Sequence, residues 1–381
     1  MSGQDDAATI VGVCGGGLIG ASIALGLLRQ GGYRVRIHDE DPVVRTALAS
    51  LLAPSGDDVL VLTSWQEAAR GADVLVAAVP PSAVAAVLEQ GARVAHPEAL
   101  LTDVAGIKGR IVETVLAGLD GVSDAAARYV GGHPMAGSER SGPGAALAEL
   151  FTGATWVLTP TPHTSDVALA RASRLVSELG ARVLVLDPEV HDTIVGLVSH
   201  LPQLVASVLA DVAAETVGAD RDAVLAVAGP GFRDTTRIAA SDPALWLDIV
   251  DGNRTAVLRA LDAFTARLEV VVSAVRAEDR EGLHAVLSRA SEARRRLVPK
   301  RLDADLVDVV VPLVDRPGNI ARISGALGSA GINIEDLAMR HATAADRGSL
   351  LVRILAEDLE AARRALSAAG VQGAEVEGAA S

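Results

Sequence analysis

A chain of 381 residues is long enough for two or three domains, each able to bury its own apolar core. Half of it is apolar and 22% is charged, so the composition is globular, and the net charge of -14 argues against a nucleic-acid or anionic-membrane partner. A small anionic ligand stays open, because one local arginine overrides a global field. The single cysteine, Cys14, excludes an internal disulfide and a cysteine-rich metal site.

The first residues include Gln4, Asp5 and Asp6 and carry no basic-then-apolar signal pattern, which leads to the expectation of a cytoplasmic protein. Thr9 to Cys14 reads as a β-branched strand running into Gly15-Gly16-Gly17-Leu18-Ile19-Gly20 and then an apolar helix from Ala21. Strand, glycine turn and helix in that order form a dinucleotide fingerprint. Gly15 serves the turn, Gly17 the close approach of a pyrophosphate and Gly20 helix–strand packing, with Leu18 and Ile19 opening the helix whose N-terminus faces the phosphates. The next strand, Tyr33 to His38, ends in Asp39, placed to accept hydrogen bonds from a ribose diol. Glu40 and Asp41 follow it where a 2′-phosphate binder would want arginine, so the expected cofactor is NAD rather than NADP.

Strands then alternate with helices through Val59 to Leu62, Asp73 to Val79, Leu100 to Asp103 and Arg128 to Gly131, predicting a parallel sheet covered on both faces. Val79 and Pro80 end one of these strands and Asp103 another, at the carboxyl rim where ligands bind. His133 follows the next, inside Gly-Gly-His-Pro-Met-Ala-Gly-Ser-Glu-Arg-Ser-Gly at 131–142. Its glycines and proline are expected to hold the backbone outside regular structure and present one imidazole; taken alone the stretch reads equally as a turn. Two more strands, Thr155 to Leu158 and Arg182 to Leu186, flank a helix from Ser165 to Leu179.

From His191 to about Leu297 the pattern becomes helical and rich in alanine and valine. Its apolar faces are large enough to suggest pairing with a second copy. Thr193 to Ala210 is uncharged and just long enough for a membrane, but His200, Pro202 and Gln203 in its middle point to a buried helical segment. After a linker, residues 306 to about 376 give a β-α-β-β-α-β order. Its loop Asp315 to Asn319 suits either a zwitterionic ligand or simple helix capping. The expected architecture is an α/β Rossmann-type domain (1–187), an all-helical domain (188–298), and a linker with a small ferredoxin-like domain (299–381).

These motifs resemble the prephenate dehydrogenase family. The resemblance runs from Thr9 to about Leu297. It rests on the glycine turn, on Asp103-Val104 with Lys108, on residues 131–139, and on Ser199-His200-Leu201-Pro202. It also rests on Phe232-Arg233-Asp234-Thr235-Thr236-Arg237-Ile238-Ala239, followed by Ser241-Asp242-Pro243 and Trp246. Residues 306 to about 373 resemble an ACT domain, a module that binds regulatory amino acids.

The resemblance implies NAD-dependent oxidative decarboxylation of prephenate to 4-hydroxyphenylpyruvate in tyrosine biosynthesis, or the same chemistry on arogenate or another amino-prephenate. It implies His133 as general base and Arg237 as the anchor of a substrate carboxylate, with His200 and Glu139 near the substrate and Ser138, Gln203 and Trp246 around it. A homodimer and an effector such as tyrosine at the ACT-like module are implied as well. Two departures stand out. Gly106 occupies the place of a serine found in many members, and Gln203 that of a second histidine after the Leu-Pro pair. A different β-hydroxyacid dehydrogenase would want a lysine between Ser199 and Val208, where there is none. A catalytically silent NAD and amino-acid sensor is the reading from another class.

Overall fold

The computed structural model describes residues 8–136, 142–216, 227–297, 306–314, 318–341, 347–371 and 375–377. The chain divides into two compact units, Met1–Val270 and Val271–Ser381.

The first unit is built on an eight-stranded sheet. In chain order its strands are β1 (Thr9–Cys14), β2 (Tyr33–His38), β3 (Val59–Leu62), β4 (Val74–Ala77), β5 (Leu100–Asp103), β6 (Tyr129–Pro134), β7 (Thr155–Thr159) and β8 (Arg182–Val185). They lie side by side as β3-β2-β1-β4-β5-β6-β7-β8. Every pair from β3 through β6 is parallel. The wholly buried run Val74–Ala77 shows why a continuous apolar segment forms a strand here. Val74 and Val76 enter one core with helices Leu18–Gln30 and Asp166–Glu178, while Leu75 and Ala77 enter the other with helices Pro81–Ala92 and Gly109–Leu119. Strand order reverses between β1 and β4, which opens a crevice at their carboxyl ends.

Two features differ from the sequence reading. β6 pairs with β7 antiparallel, in the register His133↔Val157, so the sheet is mixed beyond β6. His133 also lies within β6 rather than in a loop after it. Gly131 and Gly132 are extended here because the strand passes against solid neighbours. A Cβ at Gly132 would stand 2.6 Å from the Asp103 carbonyl oxygen and 2.9 Å from Trp156 Nε1. The glycines serve packing rather than a turn.

Helices follow β8. Asp187 caps Pro188–Val195 by accepting from the Glu189 and Val190 amides, a π-helical turn covers Gly196–His200, and Leu201–Thr216 continues from it. By length and composition the run from Pro188 to Glu215 would cross a membrane. Its His191, Asp192, His200 and Gln203 are nonetheless buried inside the unit. Further on come Pro230–Thr236, a 3-10 turn Arg237–Ala240, Pro243–Gly252 and Arg254–Arg276.

The second unit contains helix Arg280–Leu297 and a four-stranded antiparallel sheet of β9 (Leu306–Val314), β10 (Asp336–His341), β11 (Arg347–Leu355) and β12 (Glu375–Glu377). The strands are ordered β10-β11-β9-β12. Helices Asn319–Ser329 and Leu359–Ala368 bury Ile323, Leu327 and Leu366 against Val309, Val311, Leu350 and Val352. Arg353 grips its cross-strand partner Asp308 with two hydrogen bonds, 2.6 and 2.7 Å long.

Candidate active site

The glycine turn sits at the switch point. Gly15 has φ +104°, and a Cβ there would stand 2.1 Å from the Ala78 carbonyl oxygen; one at Gly20 would stand 1.9 Å from the Gly15 carbonyl. Turn and β4 end are therefore pressed together. Gly17 caps helix Leu18–Gln30 with no side chain over its first amides, and a Cβ on it would meet nothing within 4 Å. This open helix start, with Leu18 and Ile19 half-buried behind it, leaves the space that a pyrophosphate needs. Asp39 lies beside it, accepting from the Gly16 amide (2.8 Å) and the Asp41 amide (2.9 Å). Its anionic oxygens fit a ribose diol and repel a 2′-phosphate. Arg45 comes back to this corner, where its guanidinium donates to the Asp39 and Glu40 carbonyls, a contact the sequence reading missed. Val79 is half-buried, and Pro80 is exposed as the cap of helix Pro81–Ala92.

Asp103 requires a correction. It was expected to face the cofactor, but its side chain is fully buried beneath the rim. Oδ1 accepts from Lys108 Nζ and from the Ala105 amide (2.9 Å), and Oδ2 accepts from the Tyr129 hydroxyl (2.8 Å). Burial pushes the Lys108 ammonium below its usual range while Asp103 opposes that shift. Lys108 Nζ also donates to the Gly132 carbonyl at 2.7 Å. The buried pair thus braces the backbone one residue before His133.

The imidazole of His133 is half-buried beyond the last residue of β6 paired with β5. Burial first, then His191, Lys108 and His200, hold it well below the ordinary imidazole range, so it is neutral at pH 7. Its Nδ1 lies 2.8 Å from His191 Nε2, and His191 Nδ1 lies 2.8 Å from Asp192 Oδ1. A Cβ at Gly106 would stand 3.6 Å from His133 Nε2, so no side chain from that position touches the ring.

His200 is buried at the end of the π-helical turn, a geometry often found at functional sites. Its Nδ1 is 3.2 Å from Asn253 Nδ2, which also donates to the Asp192 carbonyl (2.8 Å), and its ring meets Trp246 edge-on at 5.8 Å. Burial pushes the ring down to about 4. Gln203 Nε2 donates to the Ile238 carbonyl at 2.9 Å, which ties helix Leu201–Thr216 to the turn that begins at Arg237. Arg237 itself is exposed.

A continuous polar path therefore joins His133, His191, Asp192, Asn253, His200 and Trp246. Gln203, three residues after His200, joins the segment that carries Arg237 through its side-chain hydrogen bond to the Ile238 carbonyl. Ser138 and Glu139 lie outside the described residues. Phe151 packs on Trp156 in the core, with ring centroids 4.9 Å apart. Sequence reasoning gave no role to His191, Asp192 or Asn253. The adjacent His-Asp pair at a helix start was the only signal available.

A family model described as prephenate dehydrogenase, nucleotide-binding domain, matches residues 25–185, and one described as prephenate dehydrogenase, dimerization domain, matches residues 187–289. A prephenate dehydrogenase of Bacillus subtilis (strain 168) is 32% identical, over 85% of this chain and 86% of its own. The chain belongs to the prephenate dehydrogenase family.

Solved structures of similar proteins agree. Prephenate dehydrogenase from A. aeolicus in complex with hydroxyphenyl propionate and NAD+ is 29% identical with a TM-score of 0.68, covering 76% of this chain and 98% of that one. Synechocystis arogenate dehydrogenase is 27% identical with a TM-score of 0.62, covering 76% of this chain and 99% of that one. The first family model begins at residue 25, past the glycine turn, so the fingerprint at 15–20 is independent support for the nucleotide site.

Proposed function

We propose that this dehydrogenase carries out NAD-dependent oxidative decarboxylation of prephenate. The observation that carries this reading is the placement of one imidazole, His133, on the same carboxyl rim as the open glycine turn and Asp39. Gly15, Gly17 and Gly20 with the helix start would hold the pyrophosphate, and Asp39 the ribose. Bound there, NAD supplies the hydride acceptor.

His133 Nε2 accepts the hydrogen bond and then the proton of the ring hydroxyl as hydride departs from the same carbon. The bond to the ring carboxylate breaks, carbon dioxide leaves and the ring becomes aromatic, which supplies most of the driving force. The protein's share is positioning, and Arg237 is the proposed anchor for a substrate carboxylate. Trp246 beside His200 supplies an apolar wall, and Ser138 and Glu139 are proposed as substrate-contacting residues from the family resemblance alone.

Arogenate is the second reading, favoured by Gln203. A carbonyl only accepts, so the amide nitrogen of Gln203 is the half committed to Ile238 and its oxygen is the half that can meet a ligand. An acceptor suits an ammonium better than a ketone. Supplying prephenate and arogenate separately with NAD and following NADH absorbance tests both readings; no NADH from either would overturn them and favour the silent sensor.

Residues 1–187, 188–298 and 299–381 are proposed as the nucleotide, substrate and regulatory parts. The exposed Leu197, Val198, Val208 and Leu258 of the helical part support a homodimer. The order β10-β11-β9-β12 with two helices supports a ferredoxin-like, ACT-type module for an amino acid such as tyrosine. If deleting the residues after Pro299 leaves tyrosine inhibition unchanged, that assignment fails.

A further inference from the structure

The mechanism above uses only the Nε2 side of His133. The Nδ1 side faces a buried relay that the reaction does not otherwise need. Asp192 anchors it. Its Oδ1 accepts from the Lys108 amide and its Oδ2 from the Gly109 amide, each at 2.8 Å, which pins the carboxylate to the start of helix Gly109–Leu119. An ionised carboxylate so placed can only accept, so His191 Nδ1 donates to it across 2.8 Å. In a neutral His191 this leaves Nε2 as a lone pair, and the 2.8 Å contact with His133 Nδ1 then has a single direction: His133 donates.

We infer that His191 and Asp192 are positioning residues that hold His133 in the Nδ1–H tautomer, so that Nε2 is the bare acceptor facing the substrate. This rests on reading His133 as the base. The device suits this chain in particular, because Gly106 places no side chain beside Nε2. The ring is steadied from behind instead. When Nε2 takes the proton, His133 becomes a cation whose Nδ1–H already points at an acceptor, and that acceptor is backed by an anion. No group has to reorient during the transfer.

The first measurement is the nitrogen spectrum of the full-length protein, labelled with 15N-histidine and saturated with NAD, with His133 assigned by its loss in His133→Asn. The expected result is a protonated-type shift at Nδ1 and a bare-type shift at Nε2. A proton on Nε2 overturns the inference.

The second measurement is kinetic. His191→Leu removes the acceptor and should lower kcat about 10- to 100-fold, less than loss of the base itself, with KM and NAD affinity within about twofold. His191→Gln, whose Oε1 can accept in place of the ring nitrogen, should recover most of that loss. An undiminished kcat in the leucine variant, or a glutamine variant as slow as the leucine one, counts against a positioning role. If the leucine variant does not fold, the spectrum of the unaltered protein still decides. A protein that oxidises neither prephenate nor arogenate would defeat the functional reading, while the tautomer measurement would stand or fall separately.

Discussion

Gly132→Ala should slow the enzyme without altering any group that touches the reaction. A Cβ at this position would stand 2.6 Å from the Asp103 carbonyl oxygen, about 0.8 Å inside ordinary contact, and 2.9 Å from Trp156 Nε1. Neither neighbour yields easily. The carbonyl is backbone next to the Asp103 carboxylate that holds Lys108 and Tyr129, and Trp156 is 3% exposed. β6 must therefore shift by a substantial fraction of an ångström, and its next residue is His133. Overpacking of this kind costs about 1–3 kcal/mol of stability. A misplacement near 1 Å at a reacting group costs on the order of 100-fold in rate. The expected variant is folded at 25 °C, with a lower denaturation midpoint and kcat reduced roughly 10- to 100-fold. Steady-state NADH formation and urea unfolding measure the two effects. A variant with kcat within about twofold of the parent would refute the claim that this glycine sets the position of the imidazole.

Four further outcomes are expected. His133→Asn should lower kcat by about two to four orders of magnitude while NAD affinity, read by fluorescence titration, stays nearly unchanged. Arg237→Ala should chiefly raise KM for the carboxylate substrate; an unchanged saturation curve reassigns the residue. Because burial holds His133 well below the ordinary imidazole value, kcat/KM should stay level as pH falls through 6.5 and decline only at lower pH. Stability should behave differently. His200 titrates at about 4 when folded and at about 6.5 when unfolded, so the unfolded chain takes up its proton first. Its contribution to stability is intact above pH 6.5, is lost progressively down to about pH 4, and totals roughly 3 kcal/mol. Urea midpoints across that range check this, and a shallower decline in His200→Gln than in the parent, with His133 accounting for part of what remains, identifies the source.

Local rules made much of the molecule legible in one dimension. A glycine turn between a β-branched strand and an apolar helix, with Asp39 closing the next strand, names a nucleotide site because backbone sterics and helix-start amides act over a few residues. The change from strand–helix rhythm to continuous helix near residue 188 was equally local, since side-chain periodicity follows from the elements themselves. Relations across long separations were not legible. Asp103 is at the end of a strand, as read, but whether its carboxylate faces ligand or core depended on Tyr129 and Lys108 arriving from other elements. Gly131 and Gly132 look like turn residues, and only the bulk of Asp103, Trp156 and Thr159 packed against them explains why they lie in a strand. The ring contact between His133 and His191 spans 58 positions, and no spacing rule encodes it. Short-range sterics determined which elements form, while the direction of each buried polar group was decided in three dimensions, because a hydrogen bond needs its partner within about 3 Å and that partner can come from anywhere in the chain.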